Sequence, residues 1–445
     1  MRKNILFVLT DNQRADLLGC AGHPVVQTPR IDELAENGVR FSNAFATTPI
    51  CAASRASFLT GCYERRHRFT FHTPPLGRAF TDASYPAMMR AVGYRTGFIG
   101  KFGVCADGIE PSLEDPAAIE MMFDLFDNYE HWTDEGYLVT QQDGSIRHLT
   151  DVTGDKAIEF LRSCATQTDV PFCLSVSFNA PHAQDGDPQP YIWPASESHL
   201  YSDVKVPEPA NADPAFFEGL PAFIRESESR RRWDERFSSP EDLQRNVRGL
   251  YRMISGVDRN VGRMLDELGR LSLSESTVVV FASDHGMYYG ERGLCDCWQL
   301  NEEPLRIPLV VFDPSFNRDV RGSVIDEMAL NIDVAPTLAE FGGLLPHPMA
   351  QGRSLLPLMG GRKMKWRSEF FCEHLFDRAD IPKSEGVRTE AWKYIRYFEE
   401  SPLHEELYDL RKDRRESVNL SGEPLYSEVL RKMRERCDML GKEVA

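Results

Sequence analysis

Continuous runs of apolar residues alternate with amphipathic segments along most of the chain. Residues 4–10, NILFVLT, form a run typical of strands that are buried on both faces, and PFCLSVSF and TVVVFAS, at 171–178 and 277–283, have the same character. The longest helical pattern begins at Ser239-Pro240 and keeps apolar residues at helical spacing from 247 to 271. This alternation predicts an α/β domain with a large, mainly parallel or mixed sheet that is flanked by helices.

The pattern changes after residue 362, where short, aromatic and alternating segments begin. EFFCEHLF, WKYIRYF and EELYDL read as strands, and a last helix is expected from about residue 424. We therefore predict a main domain over 1–362 and a smaller α+β subdomain with an antiparallel sheet over 363–445.

The stretch from 185 to 240 is rich in Pro, Asp, Glu and Arg, and we interpret it as an excursion over the surface. The three arginines 230–232 are expected to form a solvated face.

Polar side chains follow three of the predicted buried strands. Asp11-Asn12 come after the first strand, His182 after FNA, and Asp284-His285 after TVVVFAS. Ligands bind beyond the carboxyl ends of the strands in an open parallel sheet, so these groups are expected to meet. Their oxygen atoms suit Ca²⁺ or Mg²⁺, whereas the imidazole of His285 is a poorer ligand for such ions and leaves the identity of the metal open.

The segment CAASRASFLTG, residues 51–61, places a cysteine at the start of a predicted helix. It resembles the signature of the type I sulfatases of the alkaline phosphatase superfamily, Cys-x-Pro/Ala-x-Arg followed by Leu-Thr-Gly. The resemblance continues in the family's order through GYRTGFIGK, FNAPH, SDHG, GERGL, QGRSLLPL and the C-terminal GVRTEAWKYIRY. It therefore runs along nearly the whole chain and implies an alkaline-phosphatase-like fold.

The resemblance also implies a reaction. In this family a maturation enzyme oxidises the motif cysteine, here Cys51, to formylglycine, an aldehyde that hydrates to a geminal diol. One hydroxyl attacks the sulfur of a sulfate ester, and the other loses a proton so that the aldehyde reforms and sulfate leaves. A divalent metal serves as the Lewis acid. We expect a sulfuric ester hydrolase that acts on a sulfated mono- or oligosaccharide.

The family's residue roles can be carried over by motif position. The metal, Ca²⁺ rather than Mg²⁺, is expected on Asp11, Asn12, Asp284 and His285. The catalytic residues are expected to be Cys51 as the nucleophile, Arg55 to orient it, Lys101 to bind a sulfate oxygen and His182 to contact the sulfate or protonate the leaving oxygen. Candidate sugar contacts are His131, Glu373, His374 and Arg388.

The chain departs from the family pattern at four of these places. Asn12 stands where aspartate is usual, and His285 stands where many members have asparagine. Gly103 replaces a histidine on the sulfate side, and Cys297 replaces a lysine. The histidines that are candidates to replace a missing group are His72, His131, His148 and His374.

Composition excludes several other classes. With 51 basic and 68 acidic residues the net charge is −17, which argues against nucleic acid as a partner. No stretch approaches the roughly 20 apolar residues that a membrane span needs. The ten cysteines lack the paired spacing of a zinc ribbon and read as reduced thiols, Cys51 excepted. The N-terminus shows no signal-peptide cleavage site, so a cytoplasmic protein is expected as written, and a periplasmic or secreted one if the sequence is trimmed.

Two alternatives stay open. A phosphonate or phosphodiester hydrolase of the same superfamily would share the fold and the nucleophile, although Lys101, His182 and the sulfatase-like C-terminal segments disfavour it. An inactive relative that only binds sulfated glycans is suggested by Gly103 and Cys297. The intact Cys51, Arg55 and metal ligands argue against that second alternative.

Overall fold

The computed structural model describes residues 2–71, 74–105, 116–128, 136–167, 169–362 and 364–445. Its strands are β1 Asn4–Thr10, β2 Val39–Phe41, β3 Ala44–Phe45, β4 Arg95–Gly100, β5 Leu125–Asn128, β6 Leu138–Thr140, β7 Ile146–His148, β8 Phe172–Ser177, β9 Thr277–Ser283, β10 Tyr288–Tyr289, β11 Cys295–Asp296, β12 Leu309–Phe312, β13 Ser323–Ile325, β14 Ala329–Leu330, β15 Glu369–His374, β16 Ser384–Thr389, β17 Trp392–Tyr397 and β18 His404–Asp409.

The α-helices connect these strands. They are α1 Pro29–Asn37, α2 Cys51–Thr60, α3 Glu64–His67, α4 Arg78–Asp82, α5 Tyr85–Ala91, α6 Pro116–Met122, α7 Leu149–Cys164, α8 Pro214–Glu218, α9 Ala222–Arg225, α10 Glu228–Arg236, α11 Pro240–Arg270, α12 Glu302–Leu305, α13 Val334–Phe341, α14 Leu356–Met359 and α15 Ser427–Glu443.

An eight-stranded sheet in the order β13-β2-β12-β9-β1-β8-β4-β5 forms the centre of the molecule. β1 runs parallel to β8 and β9, and β4 runs parallel to β8 and β5. β12 is antiparallel to both of its neighbours, which makes the sheet mixed. The α/β fold predicted from the sequence is confirmed.

Helices cover both faces of this sheet, as the apolar strands require. On one face Leu6 of β1 packs into a core with Leu250 and Ile254 of α11. On the other face Phe7 packs against Phe58 of α2, with 5.8 Å between ring centroids. The predicted long helix is confirmed, and the Ser239 side chain caps it by accepting a hydrogen bond from the Asp242 N–H at 3.1 Å.

The C-terminal segments form the predicted antiparallel sheet, β15-β16-β17-β18, with α15 against it. This sheet shares a hydrophobic core with the main domain, because Phe370 and Tyr394 belong to one buried cluster with Phe45 and Tyr288. The boundary at residue 362 stays a prediction. Within the described residues, no helix combines the length and the apolar character needed to cross a membrane.

The central strand generates a stability prediction. Leu6 is fully buried, whereas Leu345 is 87% exposed, so Leu→Ala at the two positions compares the same change in opposite environments. Leu6→Ala should lower the free energy of unfolding by about 2–5 kcal/mol because it leaves a cavity. Leu345→Ala should change it by less than about 0.5 kcal/mol. Urea denaturation monitored by tryptophan fluorescence measures both, and equal losses would contradict the burial of β1.

Candidate active site

The predicted site residues meet at one edge of the central sheet. Asp11, Lys101 and Asp284 directly follow the parallel strands β1, β4 and β9, and His182 lies on the loop after β8. The carboxyl ends of parallel strands share an edge, so these side chains converge there. Lys101 and His182 border a cavity of about 210 Å³, whose lining also includes Asn12, Cys51, Asn179, His285 and Asp296.

Arg55 links the cluster together. Its Nε donates to Asp284 Oδ2 at 3.0 Å, and its Nη2 donates to Asp11 Oδ2 at 3.2 Å. Its Nη1 donates to the carbonyl of Lys101 and the hydroxyl of Ser177, both at 2.6 Å. Burial disfavours the guanidinium charge, but Asp284 and Asp11 outweigh this effect and raise the pKa of Arg55. Arg55 is thus a permanent cation between two fully buried carboxylates.

Cys51 lies at the first position of α2, where backbone N–H groups have no partner within the helix. The helix is anchored to the end of β9, because the Ser54 hydroxyl donates to the carbonyl of Asp284 at 2.6 Å. Asn331 in turn donates to the Ser54 hydroxyl at 3.0 Å. Cys51 and Arg55 are one helical turn apart and therefore face the same side of α2. This face meets the carboxylates, and the helix N-terminus favours an anion beside Cys51.

Asp11, Asp284 and His285 can hold a cation, since ligand atoms from the three side chains all lie within 4.8 Å of one another. Asp11 Oδ1, Asn12 Oδ1 and His285 Nε2 are buried and have no hydrogen-bond partner among the described residues. Such orphaned lone pairs are costly unless a ligand satisfies them. Burial lowers the pKa of His285, but Asp284 and Cys51 raise it to about 9, which reflects the negative potential here. The donor set fits a divalent cation.

Lys101 and His182 complete the part of the site predicted from the motifs. The Lys101 ammonium contacts Asp11, and burial of Asp11 is outweighed by Lys101, His182 and Arg55, which hold the pKa of Asp11 well below its usual range. The Nδ1 of His182 donates to the carbonyl of Ala183 at 2.6 Å, because a carbonyl only accepts. The carbonyl of His182 accepts from the Tyr137 hydroxyl at 2.8 Å. Both bonds fix the imidazole at the cavity.

Arg232 enters this cavity, so the prediction of a solvated face was wrong at this position. The side chain of Arg232 is 14% exposed, whereas that of the neighbouring Arg231 is 56% exposed. The Arg232 guanidinium contacts Asp296, lies 3.0 Å from Asp185 and stacks over Trp298 at 5.1 Å from the ring centroid. Sequence periodicity does not separate a charged residue that faces a cleft from one that faces solvent, and α10 presents both.

Asp296 is a second residue that the sequence did not single out. It is buried, adopts a left-handed φ of 72° and is bound by Arg232 and Arg236. Burial opposes its charge, but Arg232, Arg236 and His182 hold the pKa of Asp296 well below its usual range. A positive φ at a buried aspartate costs energy and points to a local functional constraint.

Glu373 and Arg388 are not among the described residues that line the cavity, and their assignment as sugar contacts stays a prediction. Glu373 is fully buried and accepts from Arg65 Nε at 2.8 Å; burial, despite Arg65, raises the pKa of Glu373 to about 6. Arg388 packs over the ring of Phe45 at 4.7 Å and contacts Glu302 at 3.4 Å, beside a separate groove. Both side chains serve the junction between the two sheets because their partners lie there.

The candidate histidines have separate environments. His374 is fully buried, and burial followed by His285 lowers the pKa of His374 to about 3, so its imidazole is neutral. It is not among the described residues that line the cavity. His148 caps α7 and stacks on Tyr137 at 5.0 Å between ring centroids. His72 and His131 lie outside the described residues.

Gly103 and Cys297 occupy the places of the two missing family groups. Gly103 has φ of 68°, and a Cβ there would lie 3.0 Å from Arg55 Cδ, so local backbone and packing favour glycine. Cys297 is buried in the small apolar cluster that contains Trp298 and Ile381. Arg232 of α10 lines the same cavity as Cys297.

A sulfatase family model matches residues 3–344 of the chain. The chain belongs to the sulfatase family. This sulfatase is therefore a hydrolase of sulfuric esters, and a model described as N-sulphoglucosamine sulphohydrolase, C-terminal, matches residues 290–443. The residues of this site belong to the sulfatase motifs, and the chain departs from those motifs at Asn12, Gly103, His285 and Cys297.

Several characterised proteins are similar to this sulfatase over nearly their whole length. An N-acetylglucosamine-6-O-sulfatase of Bacteroides thetaiotaomicron is 26% identical over 96% of this chain and 84% of that protein. The multifunctional alkaline phosphatase superfamily protein PehA of Trinickia caryophylli is 28% identical over 97% of this chain and 93% of that protein.

Solved structures share the fold of this sulfatase. A protein in complex with its substrate D-glucosamine-2-N,6-O-disulfate has a TM-score of 0.83 at 23% identity, covering 100% of this chain and 98% of that chain. The phosphonate monoester hydrolase of Agrobacterium radiobacter has a TM-score of 0.81 at 24% identity, covering 100% of this chain and 96% of that chain. These likenesses establish the common architecture.

The position of Arg388 generates a prediction. Arg388→Ala should reduce kcat/KM by the same factor on a small aryl sulfate and on a sulfated oligosaccharide, because the side chain supports the sheet junction. It should also lower the urea midpoint of unfolding. A much larger loss on the oligosaccharide than on the aryl sulfate would show that Arg388 contacts the sugar after all. Steady-state kinetics on the two substrates decide between these outcomes.

Proposed function

We propose that this sulfatase removes sulfate from a sulfated mono- or oligosaccharide by means of formylglycine made from Cys51 by a maturation enzyme. The observation that carries this proposal is that Cys51, Lys101 and His285 line one cavity, while Arg55 of the same helix as Cys51 binds Asp11 and Asp284 of the acidic cluster. Hydrated formylglycine supplies a nucleophile with a second hydroxyl, which lets the covalent ester collapse by elimination and not by hydrolysis.

The metal proposed for this site is Ca²⁺, held by Asp11, Asn12, Asp284 and His285. Oxygen atoms from the first three residues suit Ca²⁺, and the Nε2 of His285 is the donor that would favour Mn²⁺. A bound divalent cation acts as a Lewis acid and lowers the pKa of a coordinated hydroxyl. The orphaned lone pairs of Asp11, Asn12 and His285 support this assignment.

The side chains around Cys51 carry the remaining roles in the proposal. Arg55 holds the two carboxylates in place and keeps Cys51 on the cavity side of α2. The Lys101 ammonium, which contacts Asp11, would bind a sulfate oxygen. The Nδ1 of His182 keeps its proton in the bond to a carbonyl, so the proton for the leaving oxygen would come from Nε2 of the imidazolium form, which leaves the neutral imidazole.

We propose that Arg232 replaces the family lysine as the second cation for the substrate anion. It borders the same cavity as Cys51 and Lys101, and its partners Asp296 and Asp185 hold it there. An arginine has a planar fork that matches sulfate oxygens in pairs.

The lining of the cavity supports a sugar as the substrate, because it combines apolar groups with polar ones. The apolar groups include Phe71, Trp298, Phe376 and Ile381.

Hydrolysis of a phosphonate monoester or phosphodiester is the second candidate function. The neutral Asn12 and the loss of a lysine at Cys297 remove features of the sulfatase pattern, and the similarity in fold to a phosphonate monoester hydrolase points the same way. The cationic side chains of Lys101 and Arg232 could stabilise a phosphoryl group as well as a sulfuryl group. The two candidates differ in the product that is released.

The test of function is a release assay on a panel of esters with protein that was co-expressed with a maturation enzyme. Sulfated N-acetylglucosamine, an aryl sulfate, a phosphonate monoester and a phosphodiester are each incubated with the same preparation, and free sulfate and phosphate are measured. We expect kcat/KM to be highest on a sulfated sugar. Preference for a phosphorus ester would establish the second candidate, and no turnover on any ester would refute the proposal.

The proposed nucleophile can be tested at position 51. Matured protein should carry the aldehyde, visible in mass spectrometry of the peptide that contains residues 51–55, and should resist thiol alkylation there. Cys51→Ser should form a covalent adduct with substrate but turn over poorly, because serine has one hydroxyl and cannot expel the group. Cys51→Ala should form no adduct. Multiple turnover by Cys51→Ala at the matured wild-type rate would refute the mechanism.

The role of Arg232 has a matched control one residue away. Arg232→Ala should lower kcat/KM by roughly 10- to 100-fold, since it removes charge-assisted hydrogen bonds to the substrate anion. Arg231→Ala removes a 56% exposed side chain that pairs with Glu235 and with the buried Glu228, and it should change kcat/KM by less than about twofold because Arg232 remains paired with Glu228. Equal effects of the two substitutions would overturn the assignment.

A further inference from the structure

Asn12 stands where an aspartate is usual in the family, so the metal cluster has one negative charge fewer there. Its backbone is held firmly: the N–H donates to Asp284 Oδ1 at 3.0 Å, and the carbonyl accepts from the Tyr289 hydroxyl at 2.7 Å. Its side chain has one hydrogen bond among the described residues, from Nδ2 to Asp296 Oδ1 at 3.3 Å. The opposite end of the amide, Oδ1, is buried and has no partner among those residues.

The contact with Asp296 determines which end of the amide faces which way. An ionised carboxylate only accepts hydrogen bonds, so the amide must turn its NH₂ group towards Asp296. Asp296 stays ionised because the guanidinium groups of Arg232 and Arg236 both contact it. The amide oxygen is then left on the far side as a free acceptor, and a buried acceptor of this kind needs a ligand.

Asp296 also lies where a missing charge is needed. An aspartate at position 12 would add one negative charge directly to the cluster of Asp11, Asp284 and His285, and asparagine does not. The Asp296 carboxylate, one hydrogen bond behind Asn12, is a buried negative charge on the next shell of atoms. Substitution of a residue that hydrogen-bonds to a metal ligand and orients it typically lowers metal affinity by about 10- to 100-fold.

We propose that Asp296 is a positioning residue of the metal centre, which holds the Asn12 amide with its oxygen towards the cation and supplies from behind the negative charge that Asn12 lacks. This proposal rests on the proposed metal site. Asn12 and Asp296 then act as one unit, in which the amide is the ligand and the carboxylate hydrogen-bonded to it carries the charge.

A double-mutant cycle tests the coupling between Asn12 and Asp296 through metal affinity, which can be measured without maturation of Cys51 and without turnover. Binding of Ca²⁺ and of Mn²⁺ to the purified full chain is measured by titration calorimetry for the wild type, Asp296→Asn, Asn12→Asp and the combined Asn12→Asp/Asp296→Asn. Asp296→Asn should weaken binding by roughly 10- to 100-fold, because an amide at 296 carries no charge and can donate as well as accept, so it no longer forces the Asn12 amide into one orientation. Adding Asn12→Asp to it should restore affinity to within about threefold of the wild type.

The same Asn12→Asp change in the wild-type background provides the decisive comparison. When Asp296 is present, the new carboxylate at position 12 faces a second carboxylate, so metal affinity should fall or stay level. If added negative charge were favourable in general, Asn12→Asp would instead raise metal affinity equally in both backgrounds. Equal effects in the two backgrounds, which means no coupling, would overturn the proposal. Absence of metal binding by the wild type is a different result, because it would overturn the proposed metal site itself.

Asp185→Asn is the matched control. Asp185 borders the same cavity and binds the same two arginines, but its recorded partners do not include Asn12. Its substitution should change metal affinity by less than about threefold, and a loss as large as that of Asp296→Asn would assign the effect to the arginines and refute the proposal. Thermal melts establish that each variant folds. If Asp296→Asn does not, Asp296→Ser, which also removes the charge, replaces it in the cycle.

Discussion

The bridge from Arg55 to Asp11 and Asp284 is the interaction on which the rest of the site depends. Two fully buried carboxylates at the ends of neighbouring strands can remain ionised only if buried cations and hydrogen bonds compensate them. Arg55 does this from one helical turn beyond Cys51, so the group that stabilises the carboxylates also sets the position of the nucleophile. Without it, α2 would have no electrostatic reason to place Cys51 at the sheet edge.

The net charge of the cavity follows from this arrangement. Arg55 and Lys101 offset Asp11 and Asp284, which leaves buried lone pairs on Asp11, Asn12 and His285 that are unpaired within the described residues. Arg232 and Arg236 offset Asp296 and Asp185 in the same way. The four carboxylates and four cations named here are therefore equal in number before any ligand binds.

The junction between the two sheets gives charged residues on buried strands a role in packing. Glu373 lies on β15 and Arg388 lies on β16. The Glu373 carboxylate accepts from Arg65, whereas the Arg388 guanidinium contacts Glu302 and packs over the ring of Phe45. Buried ion pairs of this kind hold the C-terminal sheet against the main domain. Polar residues in a buried strand thus have a structural use that competes with any role in substrate binding.

The sequence by itself determined the α/β architecture, the limits of α11, the C-terminal sheet and the meeting of Asp11, His182 and Asp284. These features follow from short-range periodicity and from the rule that parallel strands end at one edge, together with the motif around Cys51. Only the tertiary structure decided that Arg232 and Asp296 join the cavity and that Arg388 leaves it. Periodicity reports which face of an element is buried, whereas the partner across that face depends on how distant segments pack, and charged side chains on a cleft and on the solvent face look alike in sequence.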